Sequence, residues 1–312
     1  MHVAFPVTDQ TADMPSAEPS PFELADERVL DVYLAGPEEY TPLVSHHGTP
    51  GSGLPFGPFV RAAAERGMRW VSYARPGYGG SARRPGRSVA ECVEDVVAIL
   101  DRLGAERCFT MGGSGGGPHT LACAALIPDR VLACAAIASP APWGAEELDW
   151  LAGQGPENIE EFTAALAGAG ELTDFLERDA SEIRAATSPQ ELIDTMGGLL
   201  PVVDRGALTG EFAASVIESM HRAVASGIGG WFDDDMAFLR DWGFSLDAVD
   251  VPVALWQGRL DKMVPFAHGE WLVRHMPNAR AHLLEDHGHL SIAVSSFATV
   301  LDDLLDLAKE RM

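Results

Sequence analysis

The chain has 312 residues, long enough for one large α/β domain carrying an insertion or for two domains, and its 46% apolar and 22% charged shares are ordinary for a soluble globular protein. Against 22 Lys and Arg stand 46 Asp and Glu, a formal charge of −24, so nucleic acid and anionic membrane are not expected as partners. Met1–Pro6 carries neither a basic segment nor a long apolar stretch, and no later run reaches membrane-spanning length, so a cytoplasmic location is expected.

Residues 1–26 are rich in Pro, Ser and acid without periodicity and read as an irregular N-terminal arm. Arg28–Leu34 alternates as a strand, expected antiparallel at a sheet edge, and Thr41–His47 is a second strand running into Gly48-Thr49-Pro50-Gly51-Ser52-Gly53. A helix is expected over Pro58–Arg66 and a strand over Met68–Tyr73, closed by Arg75-Pro76-Gly77-Tyr78-Gly79-Gly80-Ser81. Ser88 and Glu91 have capping-box spacing for a helix through Leu103. The strand Cys108–Met111, the helix Pro118–Leu126 and the strand Val131–Ala138 follow. Nearly all-apolar strands alternating with helices mean a parallel sheet covered on both faces.

After Ser139-Pro140-Ala141-Pro142-Trp143 the rhythm breaks. Helical segments are expected over Glu157–Ala167, Glu171–Ala186, Pro189–Met196 and Phe212–Ala225, with no convincing strand between them. Sheet elements resume with Val251–Trp256, a helix over Pro265–His275, the strand Arg280–Leu284 and a last helix over Ile292–Lys309. The expected organisation is therefore an arm over 1–26, an α/β core over 27–139 and 242–312, and a helical cap over 140–241. Cys92, Cys108, Cys123 and Cys134 all fall in apolar runs without C-x-x-C spacing and read as small buried hydrophobes.

Chemistry is concentrated at Gly112-Gly113-Ser114-Gly115-Gly116, a G-x-S-x-G pattern between a strand and a helix. A serine on so sharp a turn is strained, and side chains at its neighbours would clash, so glycines flank it. No Lys follows as a phosphate loop requires. An alcohol needs a base, and the base an orienting group, expected beyond the carboxyl ends of later strands. Asp261 lies five residues past Trp256, and His289 follows the last strand in Glu285-Asp286-His287-Gly288-His289. His289 is preferred to His287 for its adjacent glycine and its place opening the final helix. Ser114, Asp261 and His289 then form the catalytic set, in the chain order expected of this architecture. The N–H of Gly115 is one expected oxyanion donor. The other comes from the Gly48–Gly51 loop, where Pro50 has no N–H, so Thr49 leads Gly48 and Gly51. His46 and His47 are expected to support the glycine turn that follows them. No metal-ligand spacing such as H-E-x-x-H occurs, and no metal or cofactor is expected.

His47-Gly48-Thr49-Pro50-Gly51-Ser52, Arg75–Ser81, the serine turn, Gly258-Arg259-Leu260-Asp261-Lys262-Met263-Val264-Pro265 and Gly288-His289 together resemble the α/β-hydrolase superfamily, within it the capped esterase and proline-iminopeptidase-like group. The resemblance covers about residues 27–139 and 245–312. It implies an eight-stranded, mostly parallel sheet, a helical cap over the site, and hydrolysis through an acyl-serine without a cofactor. Gly115 and Thr49 stand where proline iminopeptidases usually carry an aromatic residue and a glycine, and Ala74 where the family commonly has Asp. The expected substrate is a small-molecule carboxylic ester. An aminopeptidase or amidase is the nearest alternative, with Glu146, Glu147, Glu157, Glu160 or Asp233 as acids for a substrate ammonium. A non-hydrolytic binding protein or lyase on the same fold is the alternative from another class. Trp143, Trp231 and Met236 are the cap candidates for substrate contact, joined by Trp150, Phe162 and Phe232. The oligomeric state is left open, a homodimer included.

Overall fold

The computed structural model describes residues 18–312. Its centre is an eight-stranded sheet in the order β1-β2-β4-β3-β5-β6-β7-β8. The strands are β1 (Ser20–Glu23), β2 (Val29–Ala35), β3 (Thr41–His46), β4 (Met68–Tyr73), β5 (Cys108–Gly113), β6 (Val131–Ile137), β7 (Val253–Gly258) and β8 (Arg280–Leu284). From β4 to β8 every pairing is parallel, while β2 runs antiparallel to both β4 and β1. All seven residues of β6 are buried, as a strand covered on both faces requires.

Five helices cover the sheet. α1 (Gly57–Ala64) and the long final helix α11 (His289–Leu307) bury Val60, Ile292, Val300 and Leu301 on one face. Here Phe59 stacks on Phe297 with ring centroids 3.8 Å apart. α2 (Cys92–Arg102), α3 (Gly116–Leu126) and α10 (Phe266–His275) bury Val96, Ile99, Leu121 and Leu272 on the other. The chain leaves β3 for the first face and β5, its neighbour, for the second. A crevice opens where adjacent strands diverge in this way, beyond their carboxyl ends.

Six helices are inserted between β6 and β7: α4 (Pro156–Ala167), α5 (Ala169–Ala185), α6 (Pro189–Thr195), α7 (Val202–Ala207), α8 (Gly210–Val224) and α9 (Gly229–Phe238). Their own cluster, including Leu172, Phe175, Leu176 and Ile183, packs with Tyr78 and Ala74 of the core.

Three expectations need correction. Residues 1–17 of the N-terminal arm lie outside the described residues, but Ser20–Glu23 is a strand, so β2 is not the edge. Unpaired backbone on β2 recruits the extended segment, and Pro21 is tolerated because β1 is itself an edge. The Ser88 helix begins at Cys92, because the Ser88 N–H (2.6 Å) and hydroxyl (3.2 Å) both donate to the Glu91 carboxylate and close a turn first. Two helices of the insertion, α7 and α9, were not foreseen: both are short, and α9 carries three acids inside an apolar pattern.

Candidate active site

Ser114 sits between β5 and α3 at φ 55°, a left-handed conformation that a serine adopts only when its surroundings impose it. Close packing on both sides of the turn imposes it. A Cβ on Gly112 would lie 2.2 Å from the Gly116 carbonyl oxygen, and one on Gly116 equally close to that of His46. The hydroxyl is thereby held out at the end of the sheet, at the start of α3.

The expected base and acid are paired with each other, and the base shares a cavity with the serine. Asp261, fully buried in the loop after β7, takes the N–H groups of Met263 and Val264 on Oδ1, both at 2.8 Å. Its Oδ2 takes Nδ1–H of His289 at 2.8 Å and Nε2–H of Gln257 at 3.2 Å. The neutral imidazole is thus fixed with its proton on Nδ1, leaving Nε2 as the basic nitrogen. Burial opposes charge on this ring, but the Asp261 carboxylate, with Asp204 behind it, outweighs burial and holds the His289 pKa above 6.5. Ser114, Gly115, Thr49 and His289 share the walls of one cavity of about 370 Å³. His287 is not among its walls.

The loop after β3 lies against the serine: a Cβ on Gly48 would be 3.9 Å from Ser114 Oγ, and one on Gly115 would meet the Thr49 hydroxyl at 2.3 Å. Thr49 donates its hydroxyl to Asp234 Oδ2 at 2.7 Å and accepts from Arg75 Nη2 at 3.0 Å. Arg75 is fully buried and also donates to the carbonyls of Gly48 (3.0 Å) and His47. Asp234, on α9, completes the network with Arg75 (2.6 Å), Arg87 (2.6 Å) and the Tyr78 hydroxyl (2.8 Å). Burial works against its charge, but the two guanidinium groups hold its carboxyl well below the usual carboxylate range. His47 supports this loop, accepting the Arg75 N–H at 3.0 Å on Nε2 and donating to the Gly48 carbonyl at 2.7 Å. His46 does not: its Nε2 is bonded to the hydroxyl of Thr110 on the neighbouring strand β5, 3.1 Å away. The turn after β4, which lacks an Asp at position 74, is braced instead by the Asp31 carboxylate on the Gly80 N–H (2.7 Å) and the Ser81 hydroxyl on the Ala74 carbonyl (2.7 Å).

Of the three cap candidates only Trp231 lines the cavity. Trp231, Asp235 and Phe238 stand four and three residues apart on α9 and so share its cavity face. Met236, about 100° round the helix from Asp235, turns into the packing of the insertion. Trp143 stands a layer back, edge-to-face with Trp150 at 5.4 Å. Trp150 and Phe162 do line the cavity; Phe232 does not.

Sequence reasoning missed a pair of acids. Glu161 on α4 and Asp235 on α9 face each other at the cavity wall, and Trp231 Nε1 donates to Glu161 at 2.6 Å. Among the described residues the Glu161 carboxyl is the one hydrogen-bonding neighbour of Asp235, and neither Asp235 oxygen takes an N–H. Burial pushes the Glu161 pKa up to about 7 and that of Asp235 well above the carboxylate range, so the two share a proton. Of the acids named from the sequence, Glu157 lines the cavity, whereas Asp233 is bound to Arg83 (2.7 Å) and Glu160 to Arg178 (3.0 Å).

A strand-elbow-helix serine beside a buried His–Asp pair, on a mostly parallel sheet, defines the class of fold. The chain belongs to the α/β-hydrolase fold family, whose model matches residues 41–295. It is 32% identical over 152 residues to epoxide hydrolase B of Mycobacterium tuberculosis, a match that spans 46% of this chain and only 42% of that relative. It is 29% identical over 234 residues to the pimeloyl-(acyl-carrier protein) methyl ester esterase of Chromobacterium violaceum, covering 73% of this chain and 80% of the relative. Among solved structures, the enol-lactonase of Burkholderia xenovorans LB400 has a TM-score of 0.63 at 21% identity, covering 92% of this chain and all of that one, a likeness of fold.

Proposed function

We propose that this chain is a serine hydrolase that cleaves a small-molecule carboxylic ester through an acyl-serine intermediate. The observation that carries the reading is Ser114 at φ 55°, sharing a cavity with a His289 ring whose tautomer Asp261 sets. His289 Nε2 takes the Ser114 proton as Oγ attacks the ester carbonyl. The resulting oxyanion is received by the N–H groups of Gly115 and Thr49, and the imidazolium is stabilised by Asp261. His289 then protonates the departing alcohol, and the same ring activates the water that releases the acid. The methyl ester esterase among the relatives, similar over most of its length, supports an ester substrate. The test is turnover across p-nitrophenyl esters of increasing acyl length with Ser114→Ala as control. A loss of three or more orders of magnitude is expected, and equal rates would overturn the mechanism.

One observation favours a second reading, a substrate bearing an amine, as in an aminopeptidase or amidase. Among the described residues no cation forms an ion pair with Glu161 or Asp235, in a cavity otherwise rich in aromatic side chains, and an ammonium group between them would displace the shared proton. Comparing an N-terminal prolyl amide with a neutral ester separates the readings. If the pair binds an amine, Glu161→Gln raises KM for the amine substrate and leaves the neutral ester unchanged.

A further inference from the structure

α11 begins at the candidate base: His289 is its first residue and Gly288 its N-cap. The first N–H groups of a helix have no partners inside the helix, and a glycine cap has no side chain to offer them. The partner comes from elsewhere. Asp204, fully buried on α7 of the insertion, accepts the backbone N–H of His289 at 2.8 Å on Oδ2, and those of Leu290 (3.1 Å) and Ser291 (2.8 Å) on Oδ1. Gly288 is what admits it: a Cβ there would lie 2.4 Å from Asp204 Oδ2, although the backbone at this residue, φ −104°, is open to any amino acid. α7 is seated by Leu200 and Leu208 at its two ends, which pack with Met263 and Leu290, neighbours in the chain of Asp261 and His289.

We infer that Asp204 is a positioning residue for His289, a carboxylate supplied by the helical insertion that caps the helix carrying the base and sets both the direction and the proton affinity of its ring. The inference rests on His289 as the base, but it concerns a contact the triad does not contain. The ring sits at the positive end of α11, where the helix dipole disfavours imidazolium, and the Asp204 carboxylate offsets that end. The other titratable groups bonded to the ring or lining its cavity are Asp261 from the loop after β7, His47 from the loop after β3, His268 on α10, and Glu157, Glu161, Asp179 and Asp235 from the insertion. Removing the Asp204 charge makes imidazolium less stable, so the ring loses its proton at lower pH and the acid limb of the rate profile moves down with it. Because the contact joins insertion to core, a displacement of α7 reaches the base directly.

The experiment uses the full chain and reads the His289 ring by NMR titration alongside the pH profile of kcat/KM. Asp204→Asn keeps the size and one acceptor and is expected to lower the His289 midpoint and the acid limb together, with KM within about twofold. Asp204→Ala also frees the helix end, and kcat is expected to fall on the order of 10–100-fold. Gly288→Ala, which expels the carboxylate, is expected to reproduce the Asp204→Ala loss and to cost little more when added to it. If Asp204→Asn lowers thermal stability while the His289 midpoint and the acid limb stay at wild-type values, Asp204 is a helix cap and no more, and the inference is overturned. The NMR midpoint requires no turnover, so it holds or fails separately from the proposed hydrolysis.

Discussion

Three consecutive aspartates on α9 meet three different fates. Successive helical residues point about 100° apart, so Asp233 reaches Arg83, Asp234 reaches Arg75 and Arg87, and Asp235 turns to Glu161. Read as sequence, the run looks like a solvated acidic face. All three side chains are buried, and only the arginines and the second acid distant in the chain reveal why. The Glu161 carboxyl, raised from 4.5 to about 7, binds its proton more tightly in the folded chain than in the unfolded one. Stability is therefore lost as pH rises between those values, on the order of a few kcal/mol. Urea unfolding at pH 5 and pH 8 is expected to show that loss in the wild type and a much smaller one in Glu161→Gln. His289 has the corresponding kinetic signature. Its pKa lies above 6.5, and a base acts when neutral, so kcat/KM is expected to rise with pH through a midpoint above the ordinary imidazole value.

At the scale of elements, α7 and α9 join the insertion to the core through buried carboxylates. Asp234 ties α9 to the loop bearing Thr49, and Asp204 ties α7 to the start of α11. Asp234→Ala would strand two buried guanidinium groups and is expected to cost about 3–5 kcal/mol in chemical denaturation. It is also expected to lower kcat, because Thr49 loses its acceptor. The strands and the longer helices of the core were legible because apolar runs and glycine stops repeat along the chain. α9 was not, because its acids break the apolar stripe by which an amphipathic helix is read, and their partners come from the far side of the fold. β1 was missed for a related reason: four residues including a proline make a strand only when an open edge awaits them.

Over the whole molecule, the insertion interrupts the chain between β6 and β7 and lines the cavity with residues of α4, α5, α8 and α9, which share its walls with Ser114 and His289. With buried ion pairs crossing the junction, insertion and sheet are expected to unfold together. Tryptophan fluorescence and far-UV circular dichroism should give coincident transitions in the wild type and separate ones in Asp234→Ala. The four cysteines are free and buried, and burial pushes the Cys108 thiol up to about 12, so a reducing agent is expected to leave the transition unchanged.

The sequence by itself determined the serine turn between strand and helix, the order in which Ser114, Asp261 and His289 occur along the chain, and the mostly parallel sheet. Those features are written locally, in glycine spacing, apolar runs and the turns that follow strands. Only the tertiary structure decided which acids face the cavity, that Asp204 caps the helix of the base, and that Gly288 is small to admit it. Such contacts join residues about 70 to 185 positions apart, and they form because a charge taken out of water must be paired, a demand that no local pattern encodes.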